Sequence, residues 1–316
     1  MGRVHLSAML SAVTRFLEGE GETQQGSWMP DFVVAGPTAS GKSAFALWLA
    51  ERTGSEIVGC DAFQLYEGVP ILTAQPSAQE LERVRHHLVG TRAVSEISDA
   101  GWYGVEARKA IMEIHSRGHR AIVVGGTGFY LRSLLEGLSD EMPAGDEVLR
   151  QELERIPQEQ LVAEIRQKDP EAAAVMDLKN PRRVIRAVEV MRLTGRPFSS
   201  FRVRPSASQV PGVCLVWERA ELWSRIVKRS DAMFEAGVVA EVARVRDLAS
   251  DGAGVRQAIG FREIEEHLEG RRTILDCRDA LIVGTRQYAK RQATWFRGQS
   301  PFPVVSGREV SGLVAG

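Results

Sequence analysis

At 316 residues, with 44% hydrophobic and 26% charged side chains and a formal net charge of −1, the chain has a globular composition and room for one large domain or two smaller ones. A balance this close to neutral excludes a globally basic surface, so a nucleic-acid partner would have to be held by local patches. The three cysteines, Cys60, Cys214 and Cys277, show neither CxxC nor zinc-type spacing and read as reduced core thiols of a cytoplasmic protein. No apolar run approaches the roughly 20 residues of a membrane helix and the start does not resemble a secretory leader, so no membrane contact is expected.

Residues 1–30 join a short amphipathic piece over 6–17 to a polar run over 18–26 without apolar period, and are expected to form a poorly ordered extension. From Asp31 onward strand and helix patterns alternate. Phe32-Val33-Val34-Ala35 is the first strand, and it runs into Gly36-Pro37-Thr38-Ala39-Ser40-Gly41-Lys42-Ser43 and then an apolar helix reaching about Arg52. Strand, glycine loop and helix in that order are the context of a P-loop. Glycines at both ends let successive N–H groups point inward, and the helix adds its positive end, so the loop can cradle a di- or triphosphate. Lys42 would neutralise phosphate charge and Ser43 would hold Mg²⁺.

A second short strand, 56–60, ends at Asp61; a buried strand over 121–124 follows a helix around 105–116 and leaves through Gly125-Gly126-Thr127-Gly128. Short apolar strands separated by helices imply a parallel sheet covered on both faces, with ligands bound beyond the carboxyl ends of the strands. Gly36 to Ser43, Asp61 and Gly125 to Thr127 therefore fall around one crevice. From about Met142 to Gly195 the pattern is wholly helical, and its clearest helix has Asn180 as N-cap, Pro181 at the first position and Gly195 as stop. Val184, Ile185, Val188 and Met191 form its apolar stripe, with Arg182, Arg183, Arg186 and Arg192 largely outside it. A solvated face and a nucleic-acid contact compete there: Glu189 can pair with Arg186 or Arg192, whereas Arg182 and Arg183 have no such neighbour. Residues 213–217 return to the sheet, a helix runs from about Ala220 to Ala236, the remainder is helical, and Pro301-Phe302-Pro303 ends the last helix.

The expected fold class is α/β: a P-loop NTPase-like parallel sheet flanked by helices, over 31–140 and 205–316, with an inserted all-helical subdomain over 141–204. Asp61 lies about twenty residues after Lys42, where a carboxylate reaches the phosphate site; it could hold Mg²⁺ through water or act as a general base. The 121–124 strand ends in Gly125-Gly126-Thr127 and not in an acid, so the carboxylate usual in nucleotide hydrolases is missing. The adjacent side chains of His86 and His87 diverge, which favours a structural role over a shared metal. In the segment 282–298, Ile282, Tyr288, Ala289, Ala293, Trp295 and Phe296 share one side of a helix, with Arg286, Lys290, Arg291 and Arg297 on the other. Four cations within twelve residues and no acid point to phosphate-backbone binding, with Arg286 alternatively clamping a ligand phosphate.

At these motifs the chain resembles the tRNA dimethylallyltransferase (tRNA isopentenyltransferase) family over roughly 31–297. The resemblance rests on GPTASGKS (36–43), DAFQLY (61–66), TAQP (73–76), HHL (86–88), VGGTGFYLRSLLEGL (124–138), NPRRVIRAVEV (180–190), AIGFREI (258–264) and TRQYAKRQATWFR (285–297). It implies that the loop holds the diphosphate of dimethylallyl diphosphate with Mg²⁺ as cofactor, and that the prenyl group goes to N6 of the adenine 3′-adjacent to the anticodon of the tRNA stem-loop. Asp61 would be the catalytic base, with Lys42, Thr127 and Arg286 completing the catalytic set; Thr38 and Thr127 would line the channel near the target base. Asp61, Ala62, Phe63, Gln64, Thr127, Arg182, Arg183, Val184, Ile185, Arg186, Arg286, Lys290 and Arg291 would touch tRNA. The chain departs from the family pattern at Ala62, where serine is usual, at Gln75, where lysine is usual, and at Arg182, where glutamine is usual. Three rivals share parts of the pattern: an enzyme prenylating free AMP, ADP or ATP, a P-loop nucleotide kinase, and a catalytically silent tRNA-binding protein. A monomer is the default expectation.

Overall fold

The computed structural model describes residues 11–19, 27–136, 142–143, 145–201, 210–249 and 254–315. Six strands form one sheet: β1 (Phe32–Ala35), β2 (Glu56–Cys60), β3 (His86–His87), β4 (Ala121–Gly125), β5 (Gly212–Val216) and β6 (Val304–Ser306). Their spatial order is β3-β2-β4-β1-β5-β6 and every neighbouring pair is parallel. β1 and β2 are buried along their whole length, as strands of a parallel sheet covered on both faces must be. The helix Lys42–Thr53 sends Phe45, Leu49 and Ala50 into the core with Phe32, Val34 and Leu215. The helix Ala100–Ser116, capped by Asp99, packs against β2 and β4 and buries Tyr103, Ala107, Ile111 and Ile114.

Register brings three loops to one level. Ala35 is the partner of Gly125, and Gly125 is the partner of Cys60, so the segments after β1, β4 and β2 leave the sheet side by side. Cys214 of β5 pairs with Ala35 on the other flank.

The chain divides into two compact units, Met1–Leu134 with Gln209–Gly316, and Leu135–Ser208. In the second, the helices Glu147–Glu154, Gln158–Lys168, Pro170–Val175 and Pro181–Thr194 close on Leu153, Leu161, Ile165, Val184, Val188 and Met191. Glu189 is fully buried there. It accepts from Arg186 at 2.6 Å, from the Asp146 N–H at 2.8 Å and from Arg150 at 3.3 Å, while Arg192 turns to Glu164 at 2.7 Å. Of the two arginines that sequence spacing offers, Arg186 pairs with Glu189, and Arg150 of another helix joins it; a buried carboxylate without such partners would be strongly destabilising.

Two expectations change. Residues 11–17 are helical and not poorly ordered: Val13 and Phe16 lie in the core, Phe16 meets Phe32 at 5.0 Å between ring centroids, and Arg120 caps it from above at 4.2 Å. Residues 1–10 and 20–26 of that expected extension fall outside the described residues. The helix before Pro301 is not the last element, since β6 and the helix Gly307–Ala315 follow and place Val305 and Val310 in the same core. His86 and His87 form the short edge strand β3, with His87 Nε2 2.6 Å from Glu56. Because Phe16 is 3% exposed, Phe16→Ala is expected to lower stability by about 3 kcal/mol in urea denaturation, whereas a dispensable tail would show no change.

Candidate active site

The loop after β1 takes its shape from backbone constraints that its sequence anticipates. Gly36 has φ +145° and a Cβ there would stand 2.6 Å from the Leu215 carbonyl; Gly41, which precedes the helix, has φ +85°. Between them Ala39 is held at φ +62°, a left-handed conformation that costs a residue with a Cβ about 1 kcal/mol or more. The strain is offset from the helix Arg219–Glu235 and its approach. Arg225 Nε donates to the Ala39 carbonyl at 2.8 Å, Trp217 Nε1 donates to the Ser40 carbonyl at 2.8 Å, and the Arg225 guanidinium lies 4.4 Å from the Trp217 ring. Arg229 donates to the Thr38 hydroxyl at 2.8 Å. Sequence reading missed Arg225 and Arg229; their spacing of four on one helix face was the available signal.

Lys42 donates to the Pro37 carbonyl at 3.4 Å. Burial lowers its amine to about pKa 8, with Arg229 pushing the same way and Asp61 opposing. Burial also lowers Arg225 and Arg229 below the usual arginine range, the latter partly compensated by Asp61. Three cations thus converge on one loop with one carboxylate nearby, an excess of positive charge that an anionic ligand relieves.

Asp61 follows β2 and accepts from the Phe63 N–H at 3.0 Å, which turns the chain. The Thr127 N–H donates to the Cys60 carbonyl at 3.2 Å, and its hydroxyl accepts from the Ala62 N–H at 3.0 Å. Thr127 therefore ties the turn after β4 to the turn that carries Asp61. Burial, and after it the Asp61 charge, raises the Tyr288 hydroxyl above the usual tyrosine range and keeps it protonated, with Thr127 acting the other way. Burial pushes the Cys60 thiol up to about 12, so this neighbour supplies no thiolate. Phe63 leans on Tyr288 at 6.2 Å, and the Gln64 amide donates to the Ala74 carbonyl at 2.6 Å. Gln75 donates to the carbonyls of Gln64 at 3.0 Å and Tyr66 at 2.7 Å, so at this departure from the family pattern the side chain holds loop backbone.

The predicted basic segment lies in the long helix Ile274–Gln299, whose buried side is Leu281, Ile282, Thr285, Ala289, Gln292 and Phe296. Two polar residues, Thr285 and Gln292, therefore belong to a face the wheel assigns to apolar side chains. Arg286 sits 5.3 Å over Trp223, and its Nε is a buried donor with no acceptor among the described residues; Ser40 Oγ in the loop is in the same condition. Lys290, Arg291 and Arg297 are exposed, as is Ser43, where the loop passes into its helix. In the helical unit, Arg182 and Arg183 are exposed, Ile185 is partly covered and Arg186 is tied to Glu189 and the Pro143 carbonyl at 2.6 Å each. Val184 needs correction as a contact residue: it is fully buried among Leu161, Ile165 and Val188 and has no surface to offer. A cavity of about 580 Å³ elsewhere is lined by Arg246, Arg256, Arg262, Glu265 and Glu266, whose charges pair with one another (Arg256–Glu265 at 2.6 Å, Arg262–Glu266 at 3.2 Å).

Lys42 carries a stability consequence. Its amine titrates near 10.5 when unfolded and about 8 when folded, so the fold is penalised below pH 8 and gains stability as pH rises from about 8 to 10.5, where the folded state releases its proton first. Lys42→Met is therefore expected to raise the melting temperature of the ligand-free protein at pH 7 by roughly 2–5 °C. That advantage should shrink in melts recorded toward pH 10; an unchanged or lower value at pH 7 would contradict the assignment.

The comparisons with known proteins agree with one another. The family model described as IPP transferase matches residues 64–299. tRNA dimethylallyltransferase 1 of Citrifermentans bemidjiense is 44% identical over 272 residues, covering 84% of this chain and 88% of the relative. tRNA dimethylallyltransferase of Xanthomonas axonopodis pv. citri is 40% identical over 283 residues, covering 84% and 86%. Among solved structures, the tRNA isopentenylpyrophosphate transferase of Bacillus halodurans superposes with a TM-score of 0.64 at 32% identity, over 90% of this chain and 94% of that one. A eukaryotic dimethylallyltransferase acting on tRNA gives 0.72 at 26% identity, over 89% and 74%. A parallel sheet that brings a lysine-bearing phosphate loop and a carboxylate to one edge, together with these matches, establishes that the chain belongs to the IPP transferase family.

Proposed function

We propose that the chain transfers a dimethylallyl group from dimethylallyl diphosphate to N6 of the adenine 3′-adjacent to the anticodon of tRNA, releasing diphosphate. The observation that carries the reading is the register of β1, β4 and β2, which sets Lys42 and its loop beside Asp61 while β4 ends in Gly125-Gly126-Thr127 with no acid. A hydrolase needs a carboxylate-held metal and water at that turn; a transferase needs a holder for a leaving group and a base for an incoming nucleophile. The relatives that are tRNA dimethylallyltransferases, and the solved dimethylallyltransferase acting on tRNA, support tRNA as the acceptor.

In this reading Lys42, Arg229, Arg286 and the loop N–H groups bind the diphosphate, and the orphaned Arg286 Nε and Ser40 Oγ gain acceptors. As the allylic C–O bond breaks, its electron pair goes to the diphosphate, the N6–carbon bond forms, and Asp61 takes the N6 proton. Thr127 and Tyr288 orient the turn carrying Asp61. No group of three His, Cys, Asp or Glu able to hold a metal occurs among the described residues. That fits Mg²⁺ ligated mainly by diphosphate oxygens and water, with the exposed Ser43 hydroxyl as the protein ligand. When bound, it would neutralise charge on the departing diphosphate. Arg182, Arg183 and Ile185 on the helical unit, and Lys290 and Arg291 on the long helix, supply surfaces for the RNA backbone.

Incubation with unmodified tRNA, dimethylallyl diphosphate and Mg²⁺ is expected to give prenylated adenosine on nucleoside mass spectrometry; prenylation of free AMP with tRNA untouched would instead identify a mononucleotide enzyme. Asp61→Asn should lower turnover by about three orders of magnitude or more while tRNA affinity stays near wild type. Replacing Lys290 and Arg291 by Ala should weaken tRNA binding and reduce the slope of log K against log salt by about one per lost phosphate contact, and an unchanged slope would remove that face from the RNA interface.

A further inference from the structure

We propose that Gln292 is a positioning residue that sets the separation between the phosphate loop and the turn carrying the base, an inference that rests on the transfer reading above. The parallel ladder joining β1 to β4 stops at Ala35 and Gly125. Beyond it, among the described residues, no backbone hydrogen bond joins Gly36–Thr38 to Gly126–Thr127. One side chain spans that gap. Gln292 Oε1 accepts from the Thr38 N–H at 2.8 Å, and its Nε2 donates to the Gly126 carbonyl at 2.8 Å. A side-chain amide thus serves as one more peptide group in the ladder, donating to one chain and accepting from the other.

The bridge is rigid and spent. Gln292 is 5% exposed and lies between the buried Ala289 and Phe296 on the long helix; its hydrogen bonds both go to backbone. On one side Thr38 belongs to the loop that Lys42 closes, and its hydroxyl receives Arg229. On the other, Gly126 leads to Thr127, which holds the Ala62 N–H beside Asp61. The leaving group and the proton acceptor therefore sit on two segments whose spacing beyond the sheet depends on Gln292. Gly126 completes the arrangement, because a Cβ there would stand 2.4 Å from Gln292 Nε2 and 3.0 Å from the Gly36 carbonyl.

The test compares steady-state kinetics, with unmodified tRNA, dimethylallyl diphosphate and Mg²⁺, of Gln292→Met, Gly126→Ala and their double variant. Gln292→Met removes both arms at nearly constant volume, and Gly126→Ala displaces an intact Gln292. Misalignment of two bound reactants lowers turnover without weakening either, so each single variant should lose about 100-fold in kcat with both KM values within about threefold of wild type. The double variant should be no slower than the slower single variant, because both break the same bridge. Wild-type-like kcat in folded variants, raised KM with unchanged kcat, or additive losses would each overturn the proposal. Should Gln292→Met fail to fold, Gly126→Ala decides; failure of both would make Gln292 a folding residue and overturn it equally. If the wild-type protein forms no prenylated adenosine, the transfer reading itself fails, whereas active wild type with unaffected variants sinks the positioning role alone.

Discussion

The site depends on the parallel alignment of β2, β4 and β1, in which Cys60, Gly125 and Ala35 reach the sheet edge at one level. Parallel strands all point their carboxyl ends the same way, so residues far apart in sequence emerge as neighbours without any loop crossing the sheet. Lys42, Asp61 and Thr127 owe their proximity to this edge. What the edge cannot do is hold the emerging segments once the ladder ends. Side chains from the C-terminal part of the chain take over there: Trp217, Arg225 and Arg229 support the loop, and Gln292 joins it to the turn after β4.

Electrostatics sets stability against purpose at the same place. Lys42 and Arg229 lose water of hydration on folding with Asp61 the chief charge opposing, and Arg286 keeps a donor without an acceptor among the described residues. Left to itself, such a cluster weakens the fold. A multivalent anion that binds the folded chain alone reverses the balance by mass action, so the resting protein holds in reserve part of the energy that ligand binding recovers. The helical unit shows the opposite economy: Glu189, fully buried, is matched by Arg150, Arg186 and a backbone N–H.

Much of this was readable in the residues. The loop at 36–43, the strand ending at Asp61 and the acid-free turn at 125–127 are local patterns, and a parallel sheet converts them into one crevice by a general rule. Helix capping by Asn180 and the stop at Gly195 are likewise local, and the helix runs Pro181–Thr194. What escaped depends on tertiary contact. Phe16 sits in a short amphipathic piece joined to a polar run without apolar period, β6 is three residues long, and Arg225 and Arg229 lie on a helix with no motif of its own. Gln292 and Thr285 are polar residues on a buried helix face, where a hydrophobicity wheel has no means of finding them. Val184 was assigned to a contact surface by its position between arginines, although its place in the apolar stripe puts it inside.

The two ends of the sheet carry a further consequence. β3 is two residues long and β6 three, and they are the outermost strands. An edge offers another chain a template only over the length of its unpaired N–H and C=O groups, and strands this short offer too few to nucleate addition. The apolar strands at the centre, rich in valine and isoleucine, are the kind of segment that seeds cross-β assembly when exposed. β6 is the last of the six strands in sequence and pairs only with β5, so without it the five-residue strand Gly212–Val216 would itself form that edge. Two or three residues at each outer position thus keep the longer apolar strands away from the edges of the sheet, where another chain could add.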